Sequence, residues 1–280
     1  MPSVKKSLPI AASVVPDAAH EFSKEGSALK IRIKFAKEGT MKFIGHLDMM
    51  RYFQKVMRRA NVDIRYSEGF SPHQIMSFAA PLGVGITSRG EYVDIEVLST
   101  DSSEEMLRRI NAALTEGVEA LSYKKLPDSS AAAMSLVAAA DYTVRFRAGY
   151  EPSDWDDFAS GWEEFLKRKQ ILVIKKTKKG ERETDIRPWI YKLEVVCDKK
   201  THSEGNESGE EADRNIRMRI AAGSAANLKP ELVMQAYMES RGQKLGEFAL
   251  LIHRDEVYAN QSETELPNFC PLEQLGEDIE

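Results

Sequence analysis

Residues 44–73 read IGHLDMMRYFQKVMRRANVDIRYSEGFSPH, and the change of period within this stretch decides the fold. Over Ile44–Asn61 the apolar residues Leu47, Met50, Phe53, Met57 and Ala60 recur at helical spacing, which predicts an amphipathic helix. Arg51, Lys55, Arg58 and Arg59 fall mostly off that stripe. Val62–Tyr66 then reads as a short strand, and Ser67–Ser71, with Gly69 inside it and Pro72 behind it, as a turn. Upstream, Ala28–Phe35 alternates Leu29, Ile31, Ile33 and Phe35 with Lys30, Arg32 and Lys34, the pattern of a half-buried strand. Downstream come a strand-like Gln74–Ala79, a loop at Pro81–Gly85 and an alternating strand over Glu91–Leu98. A helix then follows Ser102, with Ser102 as its cap, and a strand covers Val118–Leu126. The resulting order, β-α-β-β-α-β, is the split βαβ arrangement of ferredoxin-like domains.

The second half repeats that order without obvious sequence identity. Strands are expected over Asp141–Ala148, Ile171–Lys176, Pro188–Val196, Asn215–Ala222 and within Phe248–Tyr258. One helix is expected over Asp154–Lys169, capped by Ser153, and another over Pro230–Glu239. Trp155, Phe158, Trp162 and Phe165 share one helix face and read as core. The expected architecture is therefore α+β, two tandem ferredoxin-like lobes at 28–127 and 140–259. The second carries an extra strand and an acidic insertion. Residues 1–27 read as a disordered arm, 128–139 as a linker, 199–213 as a disordered polar loop and 260–280 as an acidic tail.

Composition narrows the function classes. A chain of 280 residues with 42% hydrophobic residues has material for two cored domains. It contains no apolar run long enough to span a membrane, and Pro9 and Pro16 interrupt the start too early for a signal peptide, so a cytoplasmic protein is expected. The two cysteines, Cys197 and Cys270, are too few for a disulfide framework or a Cys-rich zinc site. They are also too few to hold an iron–sulfur cluster. Net charge is −5, but Ala28–Tyr66 carries ten bases against three acids, a basic segment inside an acidic protein.

Within that segment Arg51, Lys55 and Arg58 follow i, i+4, i+7 and form a ridge with few acids beside it. The ridge, with Arg59 next to it, is suited to a polyanion such as an RNA backbone, although a solvated helix face has the same appearance. The loop Tyr66-Ser67-Glu68-Gly69-Phe70-Ser71-Pro72-His73 is constrained by its Gly and Pro. It is either a recognition loop or a turn whose polar groups satisfy their own backbone. His46, Asp48 and His73 are candidates for acid–base work. The bland reading is that Asp48 complements the start of the helix while His46 packs there. No metal-ligand spacing occurs, so neither metal nor cofactor is expected.

The strings Gly45-His46-Leu47-Asp48, Arg58-Arg59-Ala60, Tyr66–His73, Pro81-Leu82-Gly83-Val84-Gly85 and Ser88 with Glu91 and Asp94 resemble the radical SAM-linked protein family. So does Thr184-Asp185-Ile186-Arg187-Pro188. The likeness runs from about Lys30 to Ile252. It implies a bacterial domain without an assigned reaction, found beside or fused to an uncharacterised radical SAM protein, and hence such a protein as partner. The long acidic insertion and the N-terminal arm depart from the family pattern.

Three functions stand on these readings. One is an accessory or substrate-recognition protein for a radical SAM enzyme, binding RNA through the first lobe. Another is an RNA-processing or RNA-modifying enzyme, by analogy with paired ferredoxin-like lobes in endoribonucleases and pseudouridine synthases. The last is a protein–protein adaptor that uses the acidic loop and tail. Whether the chain is an enzyme stays open.

Overall fold

A computed structural model describes residues 28–280 except 178–179, 199–212, 263 and 265. The expected arm and most of the expected polar loop therefore lie outside the described residues. The first half contains β1 (Leu29–Lys37), α1 (His46–Arg59), β2 (Met76–Phe78), β3 (Thr87–Val97), α2 (Ser103–Ala113) and β4 (Val118–Lys125). The second contains α3 (Ala133–Leu136), β5 (Val137–Phe146), α4 (Trp155–Lys167), β6 (Leu172–Thr177), β7 (Gly180–Asp185), β8 (Ile190–Asp198), β9 (Asp213–Ala221), α5 (Pro230–Ser240), β10 (Leu250–Asn260) and β11 (Phe269–Pro271).

Among the described residues, one large sheet runs in the order β4-β1-β3-β10-β5-β9-β8, with β2 added to β3 and β11 to β10. The pairings are antiparallel except at the seam between halves, where β3 and β10 run parallel through Thr87 with His253 and Ser88 with Arg254. The fold is a mixed α+β arrangement built on a mostly antiparallel sheet.

Alternation in β1 determines what each face meets. Ile31, Ile33 and Phe35 point to α1 and α2, where they join Phe53, Val56, Met57, Met106 and Ile110 in one core cluster. Arg32 and Lys34 point the other way, and neither reaches open solvent. Arg32 is fully buried, and its guanidinium makes a two-point contact with the Asp94 carboxylate directly across the strands, at 2.7 and 2.9 Å. Lys34 Nζ donates to Glu256 and Glu273 at 2.6 Å each, while the Tyr92 hydroxyl donates to the other oxygen of Glu256.

The lid over these charges is the C-terminal segment. The expected acidic tail, 260–280, instead forms β11 and a 3-10 turn, Leu272–Leu275, whose Leu272 is completely buried. The Leu272 carbonyl accepts from Arg32 at 3.1 Å, Lys124 pairs with Asp278, and Ser103 and Ile279 exchange bonds of 2.9 Å. Two acids of this segment, Glu273 and Asp278, pair with Lys34 of β1 and Lys124 of β4, so their charge serves the fold.

The halves meet at a buried polar seam. Arg254 and Glu91 are 4% and 5% exposed, with Arg254 Nε donating to Glu91 at 2.9 Å and Nη2 to the Ala80 carbonyl at 2.6 Å. Ser88 Oγ donates to the Arg254 carbonyl. Gly90 is required by this crossing, because a Cβ there lies 2.5 Å from the Glu256 Cα.

Several local expectations change. Val62–Tyr66 makes two isolated bridges, Ile64 to Val97 and Tyr66 to Gln74, and the strand beside β3 is Met76–Phe78. The cap of α4 is Asp154, accepting from the Asp156 and Asp157 amides, and not Ser153. The single extra strand becomes a hairpin, β6 with β7. Its second member, GERETD, is polar and largely exposed, so it carries no hydrophobic alternation to read. Within the expected linker 128–139, Lys30 Nζ donates to the Asp128 and Ser130 carbonyls, Asp94 accepts from the Ala133 amide, and β5 has already begun at Val137. The aromatic helix face is core as expected: Trp162 stacks on Tyr237 at 3.6 Å, with Phe158 and Phe165 edge-on to the same ring.

Candidate nucleic-acid interface

The basic segment divides by direction. Lys30, Arg32, Lys34 and Lys37 face inward, and Lys37 Nζ donates to the Ile44 carbonyl at 2.6 Å. Arg65 pairs with Glu96 at 3.1 Å. The bases turned outward on α1 are Arg51, Lys55, Arg58 and Arg59, all exposed. Helical spacing places Arg51, Lys55 and Arg58 on one face, while Met49, Phe53, Val56 and Met57 take the buried side. Arg51 is 3.3 Å from Asp48, an exposed i,i+3 pair that holds little energy. Arg59 leaves the ridge: its Nη2 donates to the Ala113 carbonyl at the end of α2, so it serves as a helix C-cap.

The loop is stapled to the ridge. At its base, the Ser67 amide donates to the His73 carbonyl at 2.8 Å and the His73 amide to Ser67 Oγ at 3.1 Å. Ser67 Oγ and His73 Nδ1 also share a bond of 2.8 Å. Gly69 has φ +107° and open space where a Cβ would stand, so backbone conformation alone calls for glycine. Ser67 and His73 are thus used to close the loop, as a turn that satisfies its own polar groups requires. Phe70 at its tip is not so used; it is 111% exposed, with Tyr66 at 47%.

Below the loop, buried Gln74 donates from Nε2 to the Gln54 carbonyl of α1 at 3.3 Å, and the same oxygen accepts from Arg58 Nε at 3.3 Å. One carbonyl thus joins ridge and loop. Phe43, Leu47 and Val84, each 63% exposed, crowd the start of α1, where the Gly85 amide ties the 81–86 loop to the Lys42 carbonyl. The sequence reading passed over Gln74 and these apolar residues. Gln74 carries no signal beyond its position just after the loop, whereas Leu47 had been placed in the core stripe.

The remaining candidates separate. His46 is half-buried and edge-on to Phe78 at 5.4 Å, and Asp48 is exposed beside Arg51. His73 is closed onto Ser67, so the three have different partners and do not converge. Among the described residues no group of three His, Cys, Asp or Glu side chains is arranged to hold a metal, and no helix is long and apolar enough to cross a membrane. The Thr184–Pro188 string is a structural clamp. Asp185 accepts from the Ile171 and Arg187 amides, and Arg187 donates to the Leu166 carbonyl at the end of α4.

The family model described as "Uncharacterized protein conserved in bacteria (DUF2344)" matches residues 30–230, which include the ridge, the loop and the clamp. No curated protein matches the chain.

Proposed function

The chain belongs to this uncharacterised bacterial family, and from that premise we propose that it is a cytoplasmic substrate-recognition partner of a radical SAM enzyme that binds single-stranded RNA through α1 and the 66–73 loop. The observation that carries the RNA reading is the shared Gln54 carbonyl. It ties Arg58, one of the exposed cations of α1, to the residue that follows a closed loop whose phenyl ring is exposed at the tip. Cations track a phosphate backbone, and an aromatic ring stacks on an unpaired base. Resemblance of the quoted strings to radical SAM-linked proteins supports the partner. The strand orders β4-β1-β3-β2 and β10-β5-β9-β8, each with helical crossovers, support two tandem ferredoxin-like lobes at 28–127 and 140–259.

Electrophoretic binding of a single-stranded RNA across a salt series tests this. With Arg51, Lys55 and Arg58 each neutralising a phosphate, the slope of log affinity against log salt is expected near about −2. It should shrink to roughly −0.7 in a Lys55→Glu/Arg58→Glu variant. Salt-independent binding, or none, removes the RNA reading. Purification after nuclease treatment that still recovers a radical SAM protein then favours an adaptor.

Phe70→Ala separates stacking from charge. Its affinity for RNA is expected to fall about tenfold. Its unfolding midpoint should hold, because a side chain this exposed contributes little to the core. Unchanged affinity returns Phe70 to the class of incidental surface residues.

A further inference from the structure

The open face of the second half carries a group of side chains that the α1 interface does not use. Strand register lines up Thr87 of β3, His253 of β10, Thr143 of β5, Arg217 of β9 and Glu194 of β8 in one row across the sheet. Asp255 is the unpaired residue where the register of β10 against β5 shifts, and its bond to Thr143 brings its carboxylate to the same face. Thr87 Oγ1 and His253 Nδ1 share a bond of 2.8 Å, and Thr143 Oγ1 donates to Asp255 Oδ2 at 2.9 Å. The two hydroxyls hold the imidazole and the carboxylate from opposite sides, leaving His253 Nε2 3.9 Å from Asp255 Oδ1. Asp255 also lines a concavity of about 360 Å³ with Thr143, Arg217 and two ion pairs, Lys192–Glu194 and Arg219–Asp141. This is a cluster of titratable groups beside a cleft.

The geometry points to a phosphate-ester binding site at His253 and Asp255, in which the imidazole takes up a proton as the anion binds. The groups that act on the couple come from every neighbouring strand. Arg89 and Arg145 act on His253 from β3 and β5, and Arg217 acts on Asp255 from β9; their acidic counterparts are Glu38 and Asp141. Cations of β3 and β5 near the histidine, with Arg217 of β9 near the carboxylate, suit an oxyanion whose esterified group extends into the cleft. Burial holds the His253 imidazole below its ordinary value, with Asp255 and Glu38 opposing and Arg145 and Arg89 reinforcing. Burial raises the Asp255 carboxyl, against Thr143, His253 and Arg217, and Asp141 adds to the rise. A depressed imidazole is neutral in the free protein at neutral pH, and an arriving anion raises its pKa. Affinity is therefore expected to increase as pH falls and to be lost as pH rises through the imidazole pKa of the complex.

The test follows the His253 ring proton by NMR in the full chain while ApA, a dinucleotide whose phosphodiester does not titrate near neutrality, is added. Inorganic sulfate serves as the bare-anion arm. Expected are a His253 pKa below about 6.5 in the free protein and its upward shift on addition of ApA. Binding should weaken between pH 5.5 and 7.5, by at most about tenfold per pH unit. His253→Gln keeps a partner for Thr87 and should lose the pH dependence. Asp255→Asn keeps a partner for Thr143. It should bind the anion more tightly and move the midpoint to lower pH, because the carboxylate both repels an anion and supports the imidazolium. ApA binding well above sulfate is expected, since the ester group is read in the cleft; equal binding of the two overturns the ester site. No binding of either at roughly 10 mM and pH 5.5 overturns it. So does unaltered pH dependence in His253→Gln, or an unmoved midpoint in Asp255→Asn. The Lys55→Glu/Arg58→Glu variant should retain the His253 response, so failure of this site and failure of the α1 interface are distinguishable.

Discussion

Replacing Arg254 by alanine is expected to destabilise the protein by about 3–5 kcal/mol, seen as a lowered urea midpoint with an unchanged slope. The guanidinium lies at the seam, bonded to Glu91 and to the Ala80 carbonyl with the Tyr142 hydroxyl beside it, and solvent does not reach the site. Truncation leaves the Glu91 carboxylate buried with its main counter-charge gone. Lys37 remains as a neighbouring cation. Its amine is held below the ordinary value by burial, Glu91 opposing and Arg254 reinforcing, so removing Arg254 should raise it. That response softens the loss without cancelling it, since Lys37 Nζ is engaged by the Ile44 carbonyl. An Arg254→Met/Glu91→Leu double variant removes both charges and should recover much of the stability, because a matched apolar pair carries no desolvation penalty. A single variant within about 1 kcal/mol of wild type contradicts a buried ionic seam.

Deleting residues 269–280 is expected to cost about 4 kcal/mol. Leu272 is completely enclosed, and burying a leucine contributes about 1.5–3 kcal/mol. The fully buried Arg32 also loses the Leu272 carbonyl, and an unsatisfied buried donor adds about 1–3 kcal/mol. Lys34 keeps Glu256 but loses Glu273, and the edge of β4 loses its bridge to Glu277. Urea unfolding and limited proteolysis should report the change together, with new cleavage in the first half, whose charged face is uncovered. A Leu272→Ala point variant should lose roughly 2–5 kcal/mol by itself. If the deletion leaves the midpoint in place, these residues are a tail after all.

The ease with which each part could be read from sequence follows the range of the interactions that define it. In β1 and α1 the signal is local. Periods of two and of 3.6 lie within a dozen residues, and the burial of Ile31, Ile33, Phe53 and Met57 follows them. Ser102 could be recognised as a cap because capping is settled within one turn. The same holds for the loop, where Gly69 and Pro72 act on their own backbone. The hairpin strand Gly180–Asp185 was illegible because solvent reaches most of it.

The charges were legible in kind and misleading in place. From sequence alone, Ala28–Tyr66 is a basic segment and 260–280 an acidic one; that much is composition. Which bases remain outside was decided by tertiary structure. Arg32 finds its acid in Asp94 across the strand and its cover in Leu272, and Lys34 finds its acids in Glu256 and Glu273, the last three more than 200 positions away; Coulomb attraction between segments leaves no mark on either one's periodicity. His253 and Asp255 likewise read as two polar positions on an alternating strand. They become a couple only when β3 and β5 set Thr87 and Thr143 on either side of them. The sequence by itself determined β1, α1 with its ridge, the cap of α2 and the turn at Gly69, because those rest on neighbours along the chain. Only the tertiary structure decided the continuous sheet, the ionic seam, the C-terminal lid and the open-face cluster, because each needs partners brought together from distant strands.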